Sequence, residues 1–160
     1  MRILAINTAT RFIGVAIVED EVLLGEYALN TELNYSTRLL PLIDRILKDL
    51  ELHLEKIDAY ALALGPGSFT GLRIGLSTFK TLAWVEKKPL VGINTLEAMA
   101  WYIPSYTNHN ICPMLDARKT EVYTALFNYH QKKILRLMPD KVIKVEDILS
   151  EIKKNYSLFW

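Results

Sequence analysis

The run GPGSFTGLRIG, Gly65 to Gly75, constrains this chain more than any other stretch. It lies between an apolar run, Ala59 to Leu64, and a second run with helical spacing, Leu72 to Val85. Three of the chain's seven glycines, Gly65, Gly67 and Gly71, fall within seven residues, and Pro66 fixes φ between the first two. A strand that turns sharply into a helix is expected. Ser68 or Thr70 can cap that helix, and its free N–H groups favour an anion or the acceptor of a partner. Phosphate is the first ligand to weigh, with Thr8, Gly65, Gly67, Ser68 and Thr70 as contacts, against a tight turn that holds no ligand. A P-loop needs Lys and a hydroxyl residue directly after its last glycine, where Leu72 and Arg73 stand, and the dinucleotide fingerprint needs glycine at position 70, which is Thr70. The run is neither.

Around this turn the chain reads as an ordinary globular sequence. Its 160 residues are 51% hydrophobic and 23% charged, enough for one or two small cores without staples. The single cysteine, Cys112, excludes an internal disulfide framework and a cysteine zinc cage, and fits a reducing compartment, so cytoplasm is expected. No apolar run approaches a membrane span and no export signal is read at the start. The formal net charge of +1 cannot steer a polyanion by itself. Residues 1–80 carry 8 basic and 10 acidic groups, residues 81–160 carry 11 and 8, and Lys132, Lys133, Arg136, Lys141 and Lys144 are read as a solvated face rather than a phosphate-binding one.

Taken in order, Ile3 to Ile6, Phe12 to Val18 and Val22 to Leu29 read as an antiparallel meander. From Ser36 to Leu50 the period changes. Leu39, Leu40, Leu42, Ile43, Ile46, Leu47 and Leu50 project onto an arc of about 160° at about 100° per residue, which is an amphipathic helix. Ala59 to Leu64 is a buried strand and Leu72 to Val85 the second helix. Pro89 to Ile93 is a further strand, and Asn94 with Glu97 starts a third helix, Thr95 to Tyr102, which Pro104 stops. The polar segment Ser105 to Asn110 is the expected domain boundary, dividing the chain into residues 1–104 and 105–160. Ile111 to Asp116, Glu121 to Tyr129 and Ile134 to Met138 read as strands, Val145 to Lys154 as a helix and Ser157 to Trp160 as the start of another strand. The element order βββαβ therefore occurs twice, without a visible sequence repeat.

GPGSFTGLRIG, the opening ILAINTAT, the stretch STRLLPLI (Ser36 to Ile43) and DARKTEVY (Asp116 to Tyr123) together resemble the bacterial TsaB (YeaZ) family, from Met1 to at least Tyr123. The resemblance implies an α/β fold of the actin-like, sugar-kinase-like class with two tandem βββαβα-type halves. It also implies a non-catalytic scaffold without cofactor. Such a subunit stabilises and activates TsaD, which transfers threonylcarbamoyl to the adenosine beside the tRNA anticodon, and helps form the surface for the ATPase partner TsaE and for tRNA. Aligning the two halves sets Trp160 opposite Leu64, so the second half is expected to be truncated before its own turn and helix. Residues 111–160 are then expected to exchange their amides faster than the strands of residues 1–64.

Two rival activities find little support in the residues. In the actin-like fold the first hairpin carries an acidic residue that organises metal and phosphates. Here that position is Asn7, followed by Thr8, and a neutral amide lacks the charge to hold Mg²⁺, which opposes an ATP-dependent phosphotransferase. Asn7 and Thr8 are read instead as bonding the turn at Ala9-Thr10. TsaD proteins carry an H-x-x-x-H metal pair, whereas His53, His109 and His130 have no helical spacing, and the family's frequent His is Tyr35 here, so no metal is expected. A metal-free peptidase acting on TsaD, the second rival, lacks a histidine near Ser68 in sequence. Asp116, Arg118 and Glu121 match the family motif without a role that the residues disclose, and a charge pair steadying a turn is the alternative.

The second helix asks for cover on two sides. Leu72, Leu76, Phe79, Leu82 and Ala83 form one apolar face, and Ile74, Thr78, Thr81 and Val85 another, while Arg73, Ser77 and Lys80 make a polar stripe. Leaving Ile74 or Val85 in water forgoes about 1.5–3 kcal/mol each. The cover is either the helix from Ser36 or a second molecule. In the family the first two helices pair with TsaD as a four-helix interface, so Leu40, Leu47, Arg73, Ile74, Thr78, Thr81 and Val85 are the expected partner residues. A homodimer through the same patch is expected when TsaD is absent.

Overall fold

The structure is a computed structural model that describes residues 1–30, 34–103, 109–130 and 133–155. The chain divides into two compact units, Met1–Ile93 and Asn94–Trp160.

The first unit is built on a sheet of order β3-β2-β1-β4-β5. Its strands are β1 (Arg2–Asn7), β2 (Phe12–Glu19), β3 (Val22–Asn30), β4 (Ala59–Gly65) and β5 (Leu90–Asn94), the last reaching one residue past the unit. The meander is antiparallel as expected, with Ile3 opposite Val18 and Val15 opposite Tyr27, and β4 runs parallel to β1. Alternation decides the faces: Leu4 and Ile6 of β1 and Ile13, Val15 and Ile17 of β2 all point into one core. Two helices cover that face. Helix α1 (Tyr35–Asp49) contributes Tyr35, Leu39, Ile43, Ile46 and Leu47, and α2 (Phe69–Val85) contributes Gly71, Gly75, Phe79 and Ala83. Phe79 meets Tyr60 edge-on at 5.3 Å, locking α2 onto β4.

The second unit holds α3 (Thr95–Trp101), the sheet β6-β7-β8 and α4 (Ile148–Asn155), which comes after a 3-10 turn, Val145–Asp147. Its strands are β6 (Met114–Arg118), β7 (Glu121–His130) and β8 (Lys133–Lys144), paired antiparallel. The central strand β7 buries four consecutive residues, Thr124 to Phe127, because each face has a helix. Ala125 and Phe127 pack with Leu96 and Ala100 of α3, while Leu126 packs with Met138 and with Ile148 and Ile152 of α4. Asn94 caps α3 by accepting from the Glu97 N–H at 2.9 Å.

Several boundaries differ from those the sequence implies. The units part at Ile93/Asn94 rather than at 104/105, because Leu96 and Ala100 of α3 belong to the second core. Strand β6 starts at Met114, not Ile111: Pro113 has no N–H for a ladder, and Ile111 keeps only an isolated bridge to Phe127. Strand β8 continues through Pro139 to Lys144, which an edge position permits. Helix α2 begins at Phe69, earlier than Leu72. The strand expected over Ser157 to Trp160 lies outside the described residues.

Candidate functional site

The glycine turn closes on the first hairpin of the same unit. Gly65 (φ 112°) and Gly67 (φ 154°) occupy backbone conformations that side chains disfavour, with a cis peptide bond at Gly65-Pro66 between them. Ser68 is the N-cap of α2, its Oγ accepting from the Gly71 N–H at 3.3 Å, and the Ser68 N–H donates to the Ala9 carbonyl at 2.6 Å. A Cβ at Gly67 would lie 2.2 Å from the Ala9 carbonyl oxygen, at Gly71 2.0 Å from that of Thr8, and at Gly75 2.4 Å from Thr8 Oγ1. The close approach that the glycines permit is thus filled by residues 8 and 9 of the chain itself. Of the phosphate contacts weighed from sequence, Thr8 is buried, Gly67 and Ser68 meet Ala9, and Thr70 is exposed on the first turn of α2.

The hairpin is held from its own side as well. Asn7 Oδ1 accepts from the Ala9 N–H at 2.9 Å, and the buried Tyr35 hydroxyl donates to the Thr10 carbonyl at 2.7 Å. Asn7 is therefore spent on the turn, and Tyr35 ties the start of α1 to it. His53, the one histidine of this unit, is exposed just before the start of β4, whereas Ser68 comes after its far end. Among the described residues of this unit no serine–histidine hydrogen bond forms. Among the described residues no three His, Cys, Asp or Glu side chains gather to hold a metal ion, and no helix is long and apolar enough to cross a membrane.

The partner residues expected on α1 and α2 fall into three groups. Leu40, Arg73, Thr81 and Val85 are exposed, while Ile74 and Thr78 are half-buried, Ile74 packing against the core to which α1 also contributes. Leu47 is only 7% exposed and faces inward, so it is core rather than surface. Two larger side chains escaped the sequence reading: Phe69, 73% exposed beneath the Arg73 guanidinium at 5.3 Å, and Trp84, 81% exposed. Both lie on the Arg73–Lys80 stripe, and the helical spacing 69, 73, 80, 84 could have disclosed them.

In the second unit Asp116 and Arg118 meet through the backbone: Asp116 Oδ1 accepts from the Arg118 N–H at 2.7 Å. Arg118, Lys119 and Thr120 have φ of 70°, 51° and 67°, three successive left-handed residues, and Glu121 pairs with Arg118 across the turn.

With a βββαβ half whose fourth strand runs parallel to the first, the architecture is the mixed α/β, actin-like one. Ethanolamine utilization protein EutJ from Carboxydothermus hydrogenoformans shares the fold at a TM-score of 0.54 and 12% identity, over 96% of this chain and 57% of that one. YeaZ from Pseudomonas aeruginosa matches at 0.78 and 26%, over 89% and 67%. The family model described as TsaD, tRNA N6-adenosine threonylcarbamoyltransferase, matches residues 28–158. The tRNA threonylcarbamoyladenosine biosynthesis protein TsaB of Bacillus subtilis is 32% identical over 155 residues, 97% of this chain and 67% of that protein. The chain belongs to the TsaB family, and spans about two thirds of the length of these two relatives.

Proposed function

We propose that this chain is a non-catalytic, cytoplasmic subunit of the machinery that forms threonylcarbamoyladenosine in tRNA, pairing with TsaD through the outer faces of α1 and α2. The observation that carries this reading is the self-filled glycine turn. The loop that would cradle a phosphate is packed on Thr8 and Ala9, and Asn7, at the position of the acidic residue, is bonded to its own turn. The α1–α2 face, by contrast, is unspent: Leu40 and Val85 are exposed apolar side chains on two adjacent helices. Membership of the TsaB family supports the tRNA-modification role. Contact with TsaE and tRNA follows through the complex with TsaD.

The test is a pull-down with TsaD. Thr81 is exposed, so Thr81→Arg leaves the core untouched, and together with Leu40→Asp it should abolish pairing while the circular dichroism spectrum is unchanged. Pairing at wild-type strength by the folded double variant would overturn the assignment of the face.

A further inference from the structure

Helix α2 has a third flank, which neither the core nor the α1–α2 face uses. At about 100° per residue, Gly75, Phe79 and Ala83 mark the buried side and Ile74, Thr78, Thr81 and Val85 the partner face, whereas Phe69, Arg73, Ser77, Lys80 and Trp84 fall within about 80° of one another. All five are exposed. Two basic side chains thus stand between two aromatic ones, and no acidic residue occurs anywhere in α2.

The charges along this flank are unspent. Arg73, Lys80 and, just past the helix, the exposed Lys87 have no carboxylate partner among the described ion pairs. The nearest acid in sequence, Glu86, is half-buried and pairs with Lys88 at 3.8 Å, and Lys88 also donates to the carbonyls of Leu54 and Glu55. The rings are open too. Phe69 carries the Arg73 guanidinium on one face at 5.3 Å and stays 73% exposed, and Trp84, 81% exposed, has no ring or cation partner among the described residues. Trp84 stands in the lining of an open groove of about 730 Å³, with Lys80, Ala83, Val85, Lys87 and Leu90 around it. That volume is in the range of small-ligand sites, about 300–1,000 Å³.

Exposed flat rings set among free cations match one ligand chemistry, unpaired bases joined by phosphates: every base has a π-face to stack, and the phosphates between bases meet the cations. An acidic peptide would satisfy the cations and leave the rings without flat partners, and a duplex keeps its bases stacked inside. We propose that the Phe69–Arg73–Lys80–Trp84 flank of α2 binds single-stranded nucleic acid. Bases stack on Phe69 and Trp84, the groove beside Trp84 receives the base at that end, and Arg73, Lys80 and Lys87 pair with the connecting phosphates. The rings are about 22 Å apart along the helix, at about 1.5 Å per residue, a span that a few nucleotides cover. With a formal net charge of +1 the chain supplies little steering of its own, so affinity rests on these contacts. The flank is separate from the face assigned to TsaD, and the proposal does not rest on the function proposed above. Val85 borders both surfaces and is left unaltered in the test.

The test is fluorescence anisotropy of a labelled, unstructured RNA strand of about 12 nucleotides, titrated with the full chain at low salt. Binding should weaken as salt is raised. A DNA strand of the same sequence should bind as well, because stacking and phosphate contacts do not read the 2′-hydroxyl, and the duplex should bind at least about tenfold more weakly. Trp84→Ala and Phe69→Ala should each raise the dissociation constant at least about fivefold. Lys80→Gln should make the slope of log affinity against log salt shallower by about 0.7, one phosphate contact, while Lys133→Gln, an exposed charge of the second unit, should change neither affinity nor slope. The replaced side chains are exposed, so each variant should keep the wild-type circular dichroism spectrum. Absence of single-strand binding, a duplex bound equally well, or an affinity indifferent to both aromatic variants would each overturn the proposal. Failure of the TsaD pull-down with strand binding intact would strike the proposed function alone.

Discussion

Two turns in this protein solve opposite problems. The turn at Gly65–Gly75 has glycine wherever another part of the chain comes within 2.0–2.4 Å of the missing Cβ. The turn at Asp116–Glu121 has no glycine, although Arg118, Lys119 and Thr120 all adopt left-handed backbone that favours it. Packing thus governs the first and local conformation the second: one must exclude side chains, the other keeps them and carries the strain. A side chain at Gly71 has nowhere to go, whereas those at 118 to 120 are exposed and unhindered.

Gly71→Ala puts this contrast under the greatest strain. Alanine is the better helix former by about 1 kcal/mol, so propensity alone predicts a gain. Backbone contact with the Thr8 carbonyl predicts a loss of about 3 kcal/mol, read as a lower urea midpoint. A neutral or stabilising Gly71→Ala would remove the packing account of the glycine turn.

Gly75→Ala should cost less, about 1–2 kcal/mol, because it meets a side-chain oxygen rather than backbone. Here the cause can be isolated. Thr8→Ala removes that oxygen, so the double variant should be less destabilised than the sum of the single ones by about 1 kcal/mol. Strict additivity would place the conflict elsewhere.

In the other turn the sign reverses. Thr120→Gly relieves a β-branched residue at φ 67° and should raise stability by up to about 1 kcal/mol in thermal unfolding, the gain in strain being offset in part by the flexibility of glycine in the unfolded chain. A loss instead would mean that the Thr120 side chain holds the turn together.

The smallest effect at neutral pH concerns Tyr60, under the middle of α2. Its hydroxyl is buried without a hydrogen-bond partner among the described residues, and burial first, then Glu86, pushes its pKa above the ordinary value. Folding therefore favours the neutral phenol. That contribution is complete below the ordinary tyrosine pKa of about 10 and is lost as pH rises from there through the higher folded value. Tyr60→Phe should change stability by no more than about 1 kcal/mol at pH 7 and should flatten the alkaline loss, measured by urea midpoints across the basic range.

Much of the first unit was legible because its signals are local. The 3.6-residue period of Leu39, Ile43, Ile46 and Leu47 announces α1, the continuous apolar run Phe12 to Val18 announces β2, and Gly-Pro-Gly with Ser68 announces a strand-to-helix turn with a cap. The occupant of the turn was not legible. Periodicity says that a side chain must be absent at Gly67 and Gly71, but Thr8 and Ala9, which take the space, are about sixty residues away in the chain. The same limit hid the unit boundary, since α3 ends at a polar, proline-marked segment yet packs against β7, which lies beyond that segment. It also hid Leu47, whose place on α1 is compatible with a partner until the sheet lies beneath it. Which segments are strands and helices, and where glycine and caps punctuate them, could be read from the residues, because backbone conformation and amphipathic pattern depend on near neighbours. The partner of each face emerged with the packed fold, because contacts between distant segments are set by how the elements come together.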